Sequence, residues 1–573
     1  MSSIRIEKTP RQLLPESFVL QSWEELAPYF EELEQRNIAS VQDLEKWLKD
    51  ASELESVISE DASWRQIRMT CDTQDPKLAE SFEFFMTQIQ PKIQPVADRL
   101  NRKLLDSPFA KELDYDQYFT YLRNVRKNID LFQESNIPIQ AELNVAQQEY
   151  SVIAGKMSVE VNGQEYTLQQ AAKFLEDPDR SLREMVYHKI AQRRQADRAS
   201  LDQLFDRLLE QRNQLALNAG FTDYRAYRFM ELGRFDYTPA DCTTFHQAVR
   251  ENVMPLVDQL LEKKRQELGV DRLKPWDLEA EPIGIQPLRP FEKGSDLIEK
   301  TIDCLRTLDP FFSECLSTMR EMGRLDVESR KGKAPGGYNC PLAETGAPFI
   351  FMNAAGTLDD VTTMVHESGH AVHSFLCHPL ALNGFKEYPT EIAEVASMSM
   401  ELFTMDHWSV FFPNPTELKR AKQQQLERVI TLFPWIATID AFQHWLYLHP
   451  GHSISEREAA WLEILNAYTS SVIDVSGAEE YRAFLWQRQL HLFEVPFYYI
   501  EYGIAQLGAI GMWQQYQQDP KAALMNYQQA LKAGGTRTLP ELFKLAGLSF
   551  DLSPAHIGGL MQFVKGELEK LDH

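Results

Sequence analysis

Thr357-Leu-Asp-Asp-Val-Thr-Thr-Met-Val-His366-Glu-Ser-Gly-His370-Ala-Val-His373-Ser-Phe-Leu-Cys-His378-Pro379 is the stretch on which the reading of this chain turns. It reads as one helix. Thr357 offers an N-cap hydroxyl, Asp359 and Asp360 suit the positive end of the helix dipole, and His378-Pro379 closes the pattern. In such a helix His366 and His370 stand one turn apart on the same face, so two imidazoles reach one ion. With Glu367 they make the H-E-x-x-H pattern, in which the glutamate sits beside the two histidines, placed to polarise a water. His373 continues that face and is expected behind the ligands or in the core.

A catalytic zinc needs a third protein ligand and an open position for water. The metzincin pattern would place Gly and a third His three and six residues beyond the second His. This chain has His373 and Leu376 there, so that branch is excluded. Pro389-Thr390 opens the next helical segment, which carries Glu391, Glu394 and Glu401 on one side among Ala, Val and Met. One carboxylate ligand, with others accepting from the histidine N–H groups, would call for such a face. Spacing alone does not choose among the three.

Around this core the chain reads as mainly helical. Apolar residues recur at helical spacing over Leu201 to Leu217, Phe245 to Leu268, Ser295 to Met322, Ala459 to Ile473 and Pro520 to Leu531. Two places read as strand. Met157 to Leu168 alternates about Asn162-Gly163, a pair suited to a tight hairpin. Tyr338 to Pro341 and Ala347 to Met352 form two short extended runs bounded by glycines, a small sheet just before the histidine helix. The run Ala347 to Ala355 is also a candidate for pairing with a peptide backbone by strand addition. Asp440 and His444, at i and i+4, read as a satisfied polar pair inside a helix. A boundary near residue 195 divides an N-terminal helical domain with a hairpin (1–195) from a catalytic domain (196–573).

The 573 residues include 59 Lys and Arg against 84 Asp and Glu, a formal net charge of −25, which argues against a nucleic-acid binder. With 43% hydrophobic and 25% charged residues the chain can bury a sizeable core. The first twenty residues lack an apolar run after a basic start, so no secretory signal is expected. Val429 to Leu448, the most apolar long stretch, contains Pro434, Asp440, Gln443 and His444, which suit a buried helix and not a membrane span. Six scattered cysteines without C-x-x-C spacing read as reduced thiols, and the expected location is the cytoplasm.

The sequence resembles the thimet-oligopeptidase-like zinc metallopeptidases, in particular their oligoendopeptidase F branch. The residues that carry the resemblance are His366-Glu-Ser-Gly-His370-Ala-Val-His373, Glu394-Val-Ala-Ser-Met-Ser-Met-Glu401, Pro496-Phe-Tyr-Tyr-Ile-Glu-Tyr502 and, upstream, Tyr224 to Asp236. The likeness runs over roughly residues 180 to 565. It implies a two-lobed helical fold around a deep channel that admits short unstructured peptides, with a small sheet near the histidine helix. It also implies one zinc ion held by His366, His370 and Glu394, with Glu391 and Glu401 as candidates for the surrounding acceptors. Glu367 becomes the base that takes a proton from water and returns it to the leaving amine. In the family a Y-x-x-x-Y pair following a histidine donates to the substrate carbonyl; this maps onto Tyr498 and Tyr502, with His491 as the histidine. Pro496 suits the first turn of a helix carrying both phenols.

The implied activity is hydrolysis of internal bonds in short peptides, with no nucleic-acid or membrane partner. A carboxypeptidase or dipeptidase of similar build is the alternative within enzymes, and would use Arg482 or Arg488 to capture a substrate C-terminus. A helical interaction protein with an accidental motif is the alternative outside them. No P-loop, G-x-S-x-G or paired G-x-G-x-x-G signal supports a nucleotide enzyme or serine hydrolase.

Overall fold

The computed structural model describes residues 4, 8, 10–282, 284–330, 332–334 and 336–572. Helices dominate it, and the described strands form only a two-stranded and a three-stranded sheet. The chain groups into two compact units, each assembled from three separated segments. Residue 195 lies inside the long helix Arg180–Asn218.

The first unit comprises Met1–Phe132, Leu288–Lys422 and Ile504–Phe550. Its early helices, among them Val41–Cys71, Gln90–Asp106 and Tyr115–Leu131, bury Leu26, Leu33, Leu44, Trp47 and Ile89 in one core that also takes in Phe385. The Trp47 indole donates to the Leu33 carbonyl at 2.9 Å, so the ring is buried without an orphaned N–H. A cavity of about 540 Å³ remains between these helices, lined by Phe30, Trp47 and Phe85 and by one carboxylate, Glu55. The Thr120 hydroxyl donates to the carbonyl of Gly535 at 2.6 Å, and the Gly535 N–H donates to the Phe385 carbonyl at 2.7 Å. Gly535 has to be glycine, because a Cβ there would meet the Glu387 carbonyl oxygen at 2.2 Å.

The second unit comprises Gln133–Pro287, Gln423–Gly503 and Asp551–His573. Strands β1 (Ser158–Val161) and β2 (Gln164–Thr167) pair antiparallel about Asn162 and Gly163, which take φ of 53° and 79°. That is the hairpin the sequence implies. Arg212 is fully buried and donates to the Tyr447 hydroxyl and the Leu492 carbonyl, each at 3.0 Å, and to the Phe493 carbonyl.

Helical runs that read as continuous are interrupted at proline. Asp309 caps a new helix at Pro310, splitting Ser295 to Met322 into Gly294–Leu308 and Pro310–Glu321. Phe245 to Leu268 contains a π turn at Val249–Val253, directly before Met254-Pro255. The proline ring excludes the carbonyl four residues back, and the widened turn accommodates it.

In the first unit β3 (Leu325–Glu328), β4 (Tyr338–Cys340) and β5 (Phe349–Ala354) form a sheet in the order β3-β5-β4. The sequence reading of β4 and β5 holds, and β3 is an addition to it. β5 pairs parallel with β3 and antiparallel with β4. Strand addition to Ala347–Ala355 is therefore corrected: β5 has both edges occupied, and an incoming peptide would have to pair with an outer strand.

Candidate active site

The histidine helix runs Leu358–Cys377. Thr357 and Asp360 form a reciprocal capping box, and the helix stops at His378, just before Pro379. The glutamate helix, Thr390–Thr404, packs directly against it. The closeness comes from Gly369: a Cβ at that position would lie 2.6 Å from Ser397 Cα and 2.7 Å from the Ala396 carbonyl oxygen. The second variable position of H-E-x-x-H thus lets two backbones meet.

The approach brings Glu394 to the histidines. Its Oε2 lies 3.4 Å from His366 Nε2 and 3.8 Å from His370 Nε2, and one ligand atom from each residue falls within 4.8 Å of the others. Ser397 Oγ stands 3.2 Å from the same Oε2, one turn along. Glu401, two turns beyond Glu394, bonds His366 Nδ1 at 2.7 Å. That bond fixes the ring and commits Nδ1, leaving Nε2 to face Glu394. Glu391 is buried on the same helix.

Glu367 is 6% exposed, and its Oε2 has no hydrogen-bond partner. The Asn339 side chain from β4 donates to the Glu367 backbone carbonyl at 3.2 Å, a positioning contact with no signal in the sequence. Burial pushes Glu367 up to about 7; His366 opposes the shift, and Glu394 and Glu401 add to it. Burial lowers His370 to about 4. Burial also acts to lower His366, but its hydrogen bonds to Glu394 and Glu401 outweigh that and raise it well above the ordinary value. A site that draws a proton onto His366 between two carboxylates has the charge to hold a divalent cation. Two imidazole Nε2 atoms and one carboxylate oxygen are the donors zinc takes in a three-ligand site. His373 is fully buried, stacks on Tyr388 at 3.6 Å between ring centroids, and is held neutral by burial. It is a core residue.

In the second unit His491, Tyr498 and Tyr502 form a cluster. The tyrosine rings meet edge to face at 5.2 Å, and Tyr502 Oη lies 3.5 Å from His491 Nε2. Gln489 Nε2 stands 2.7 Å from the other nitrogen, Nδ1. The reading of Pro496 as the first turn of a helix is corrected: Pro496 to Tyr498 form a turn, and the helix begins at Tyr499. Phe497, fully buried, takes φ of 66°, a left-handed conformation that costs a side-chain-bearing residue roughly 1–2 kcal/mol. Its N–H donates to Gln443 Oε1, and its carbonyl accepts from Arg234, which also pairs with Glu501 at 2.9 Å. Of the cations considered for capturing a substrate C-terminus, Arg482 donates to Thr469 at 3.0 Å and Arg488 stacks on Trp435.

The helical architecture brings two part-buried histidines and a buried glutamate together beside Glu367, whose Oε2 is unpartnered, an arrangement of the kind helical metallopeptidases use. The family model described as "Peptidase family M3" matches residues 173–557, and that for the "Peptidase M3 N-terminal domain" matches 17–132. The chain belongs to peptidase family M3, in its oligoendopeptidase F branch. It is 24% identical over 330 residues to an oligoendopeptidase F homolog of Lactococcus lactis subsp. lactis, covering 56% of this chain and 52% of that protein. It is 22% identical over 523 residues to an oligoendopeptidase F homolog of Borreliella burgdorferi, covering 88% and 84%. The match spans only about half the length of the Lactococcus protein. The solved structure of PZ peptidase A with an inhibitor superposes with a TM-score of 0.90 at 26% identity, covering 97% of this chain and 99% of that one.

Proposed function

We propose that the chain is a zinc-dependent endopeptidase that hydrolyses internal bonds of short unstructured oligopeptides. The observation that carries the reading is the convergence of His366, His370 and Glu394 within 4.8 Å beside the unpartnered Oε2 of Glu367. His366 and His370 through Nε2, and Glu394 through Oε2, would hold the ion, with Glu401 orienting His366. When bound, zinc supplies Lewis acidity, which acidifies water and polarises a carbonyl.

Everything else falls to the chain's own side chains. Glu367 accepts a proton from the attacking water at its free Oε2 and returns it to the leaving nitrogen; a carboxyl whose proton affinity burial has raised suits both transfers. Asn339 holds the Glu367 backbone while this happens. Tyr498 and Tyr502 donate to the substrate carbonyl as it becomes an oxyanion, with His491 and Gln489 setting their surroundings. The bond from Arg482 to Thr469 counts against that residue capturing a substrate C-terminus, while Arg488 stacks on Trp435 with its N–H donors available, so the cleavage pattern is what separates the two activities. A cytoplasmic location belongs to the same proposal, supported by six free cysteines and by the lack, among the described residues, of any helix long and apolar enough to cross a membrane. So does a functional division at 1–195 and 196–573; the family models match 17–132 and 173–557, leaving residues 133–172 between them.

The test is mass spectrometry of a mixed peptide library, with folded proteins alongside, before and after chelation and zinc restoration. Internal cuts confined to short peptides and dependent on metal are expected. Release of single C-terminal residues would move the assignment to a carboxypeptidase. Glu367→Gln should retain metal and lose about 10²–10⁴-fold in kcat, whereas Glu394→Ala should lose metal as well.

A further inference from the structure

One other cluster of metal-ligating side chains stands apart from the His366 site among the described residues. It lies wholly within the second unit. Cys242 and His246 are one turn apart on the helix Pro239–Ala248, and Asp440 and His444 are one turn apart on the helix Pro415–Leu448. Ligand atoms of Cys242, Asp440 and His444 all fall within 4.8 Å of one another. Asp440 and Cys242 are fully buried, and His246 and His444 are 8% and 9% exposed.

The polar pairing inside this cluster is incomplete. His246 Nε2 lies 2.8 Å from Asp440 Oδ2, and His444 Nε2 stands 3.3 Å from the same oxygen. Asp440 Oδ1 and His444 Nε2 are buried without hydrogen-bond partners. The pair read from the sequence is therefore part of a four-residue group in which His444 Nε2 faces Asp440 Oδ2 and the other carboxylate oxygen, Oδ1, is left without a partner beside a thiol. Of the nearby cations, Arg234 pairs with Glu501, and Arg225 stands 3.5 Å from His444 Nδ1, the nitrogen that bears the proton when Nε2 binds a metal, so Arg225 would turn aside on metal binding.

We propose that Cys242, Asp440 and His444 form a second metal site, for a zinc ion with three protein ligands and one further position, in which His246 holds the Asp440 carboxylate through Oδ2. Sulfur and imidazole donors select zinc over magnesium or calcium, which take oxygen. A thiolate and a carboxylate carry two negative charges, which a divalent cation balances where solvent cannot. Rings of Phe229 and Phe497 pack on His444 at 6.0 and 5.3 Å and hold its imidazole in place. Because Phe497 immediately precedes Tyr498, an ion here would brace the turn that presents the tyrosine pair. The inference does not depend on the catalytic proposal.

The experiment uses sulfur as the reporter, since the His366 site contains no cysteine. The full chain is purified, its metal is counted by inductively coupled plasma mass spectrometry, and zinc is exchanged for cobalt. Two metal ions per chain and a thiolate-to-cobalt charge-transfer band in the near ultraviolet are expected. Cys242→Ser should abolish the band and reduce the count to one, and His444→Gln should do the same. In a His366→Ala, His370→Ala chain, one ion and the full band should persist. Absence of the band from the otherwise unaltered chain, or a count in that chain that neither Cys242→Ser nor His444→Gln lowers, overturns the proposal. The unaltered chain decides the matter even where a variant fails to fold.

Discussion

Replacing Gly369 with Ala tests whether backbone contact between the histidine and glutamate helices sets the metal geometry. In an exposed helix this change stabilises by about 1 kcal/mol, because alanine is the better helix former. Here the added Cβ would sit 2.6 Å from Ser397 Cα and 3.0 Å from the Ala396 carbonyl carbon, where ordinary contact begins at 3.4 Å. The obstructing atoms are backbone, so no side chain can swing aside, and the helices must separate by roughly 0.8 Å. Overpacking of this kind costs about 1–3 kcal/mol. Glu394 lies one turn from Ser397 on the displaced helix, while metal–ligand distances tolerate only about 0.2 Å. The variant should therefore melt at a lower temperature in metal-free form and bind zinc at least about tenfold more weakly in chelator competition. A Gly369→Ala chain more stable than the parent, with unchanged zinc affinity, would refute the close-approach argument.

Glu401→Gln keeps an acceptor but removes the charge opposite His366 Nδ1; zinc affinity is expected to fall about 10–100-fold, measured by competition with a chelator. The apolar walls of the cavity that Glu55 lines, with the Glu387 carboxylate adding to them, push it up to about 8 from its ordinary 4.5, although solvent reaches the side chain. The folded chain then holds a proton that the unfolded chain has released, so this group's stabilisation is full below pH 4.5 and is lost as pH rises through about 8. Glu55→Gln should remove that dependence, changing stability by on the order of 1–2 kcal/mol across the window once screening by cavity water is allowed for; parallel pH–melting curves for parent and variant would count against it. At Phe497 both Ala and Gly remove a buried ring, but only Gly relieves the left-handed backbone, so Phe497→Gly should be the more stable of the two by about 1 kcal/mol in thermal melts. Equal melting temperatures would remove strain from the account of this turn.

Features governed by neighbours in sequence were legible in it. The Thr357–Asp360 cap, the Asn162-Gly163 hairpin and the side shared by Glu394 and Glu401 all depend on residues within two turns of one another. What was missed depends on distant partners. β3 has four residues and gains its identity from parallel pairing with a strand more than twenty residues away, and that same pairing turns β5 into a central strand. Asn339 supports Glu367 only because β4 lies beside the histidine helix. Phe497 adopts a conformation that favours glycine, so no local preference could have placed it there; Gln443 and Arg234 hold it from elsewhere in the chain. Cys242 and His246 acquire meaning only opposite Asp440 and His444.

The bond from Thr120 to Gly535 also bears on how the chain comes to be folded. The helix Tyr115–Leu131 is translated early, yet it is closed by a glycine 415 residues later, whose N–H also ties down Phe385. A chain growing at about 5–20 residues per second therefore waits on the order of tens of seconds before that seal can form. Through that interval the nascent helices must avoid wrong partners, so ribosome-associated holding factors, and the pace of translation between the two positions, should influence the yield of native protein.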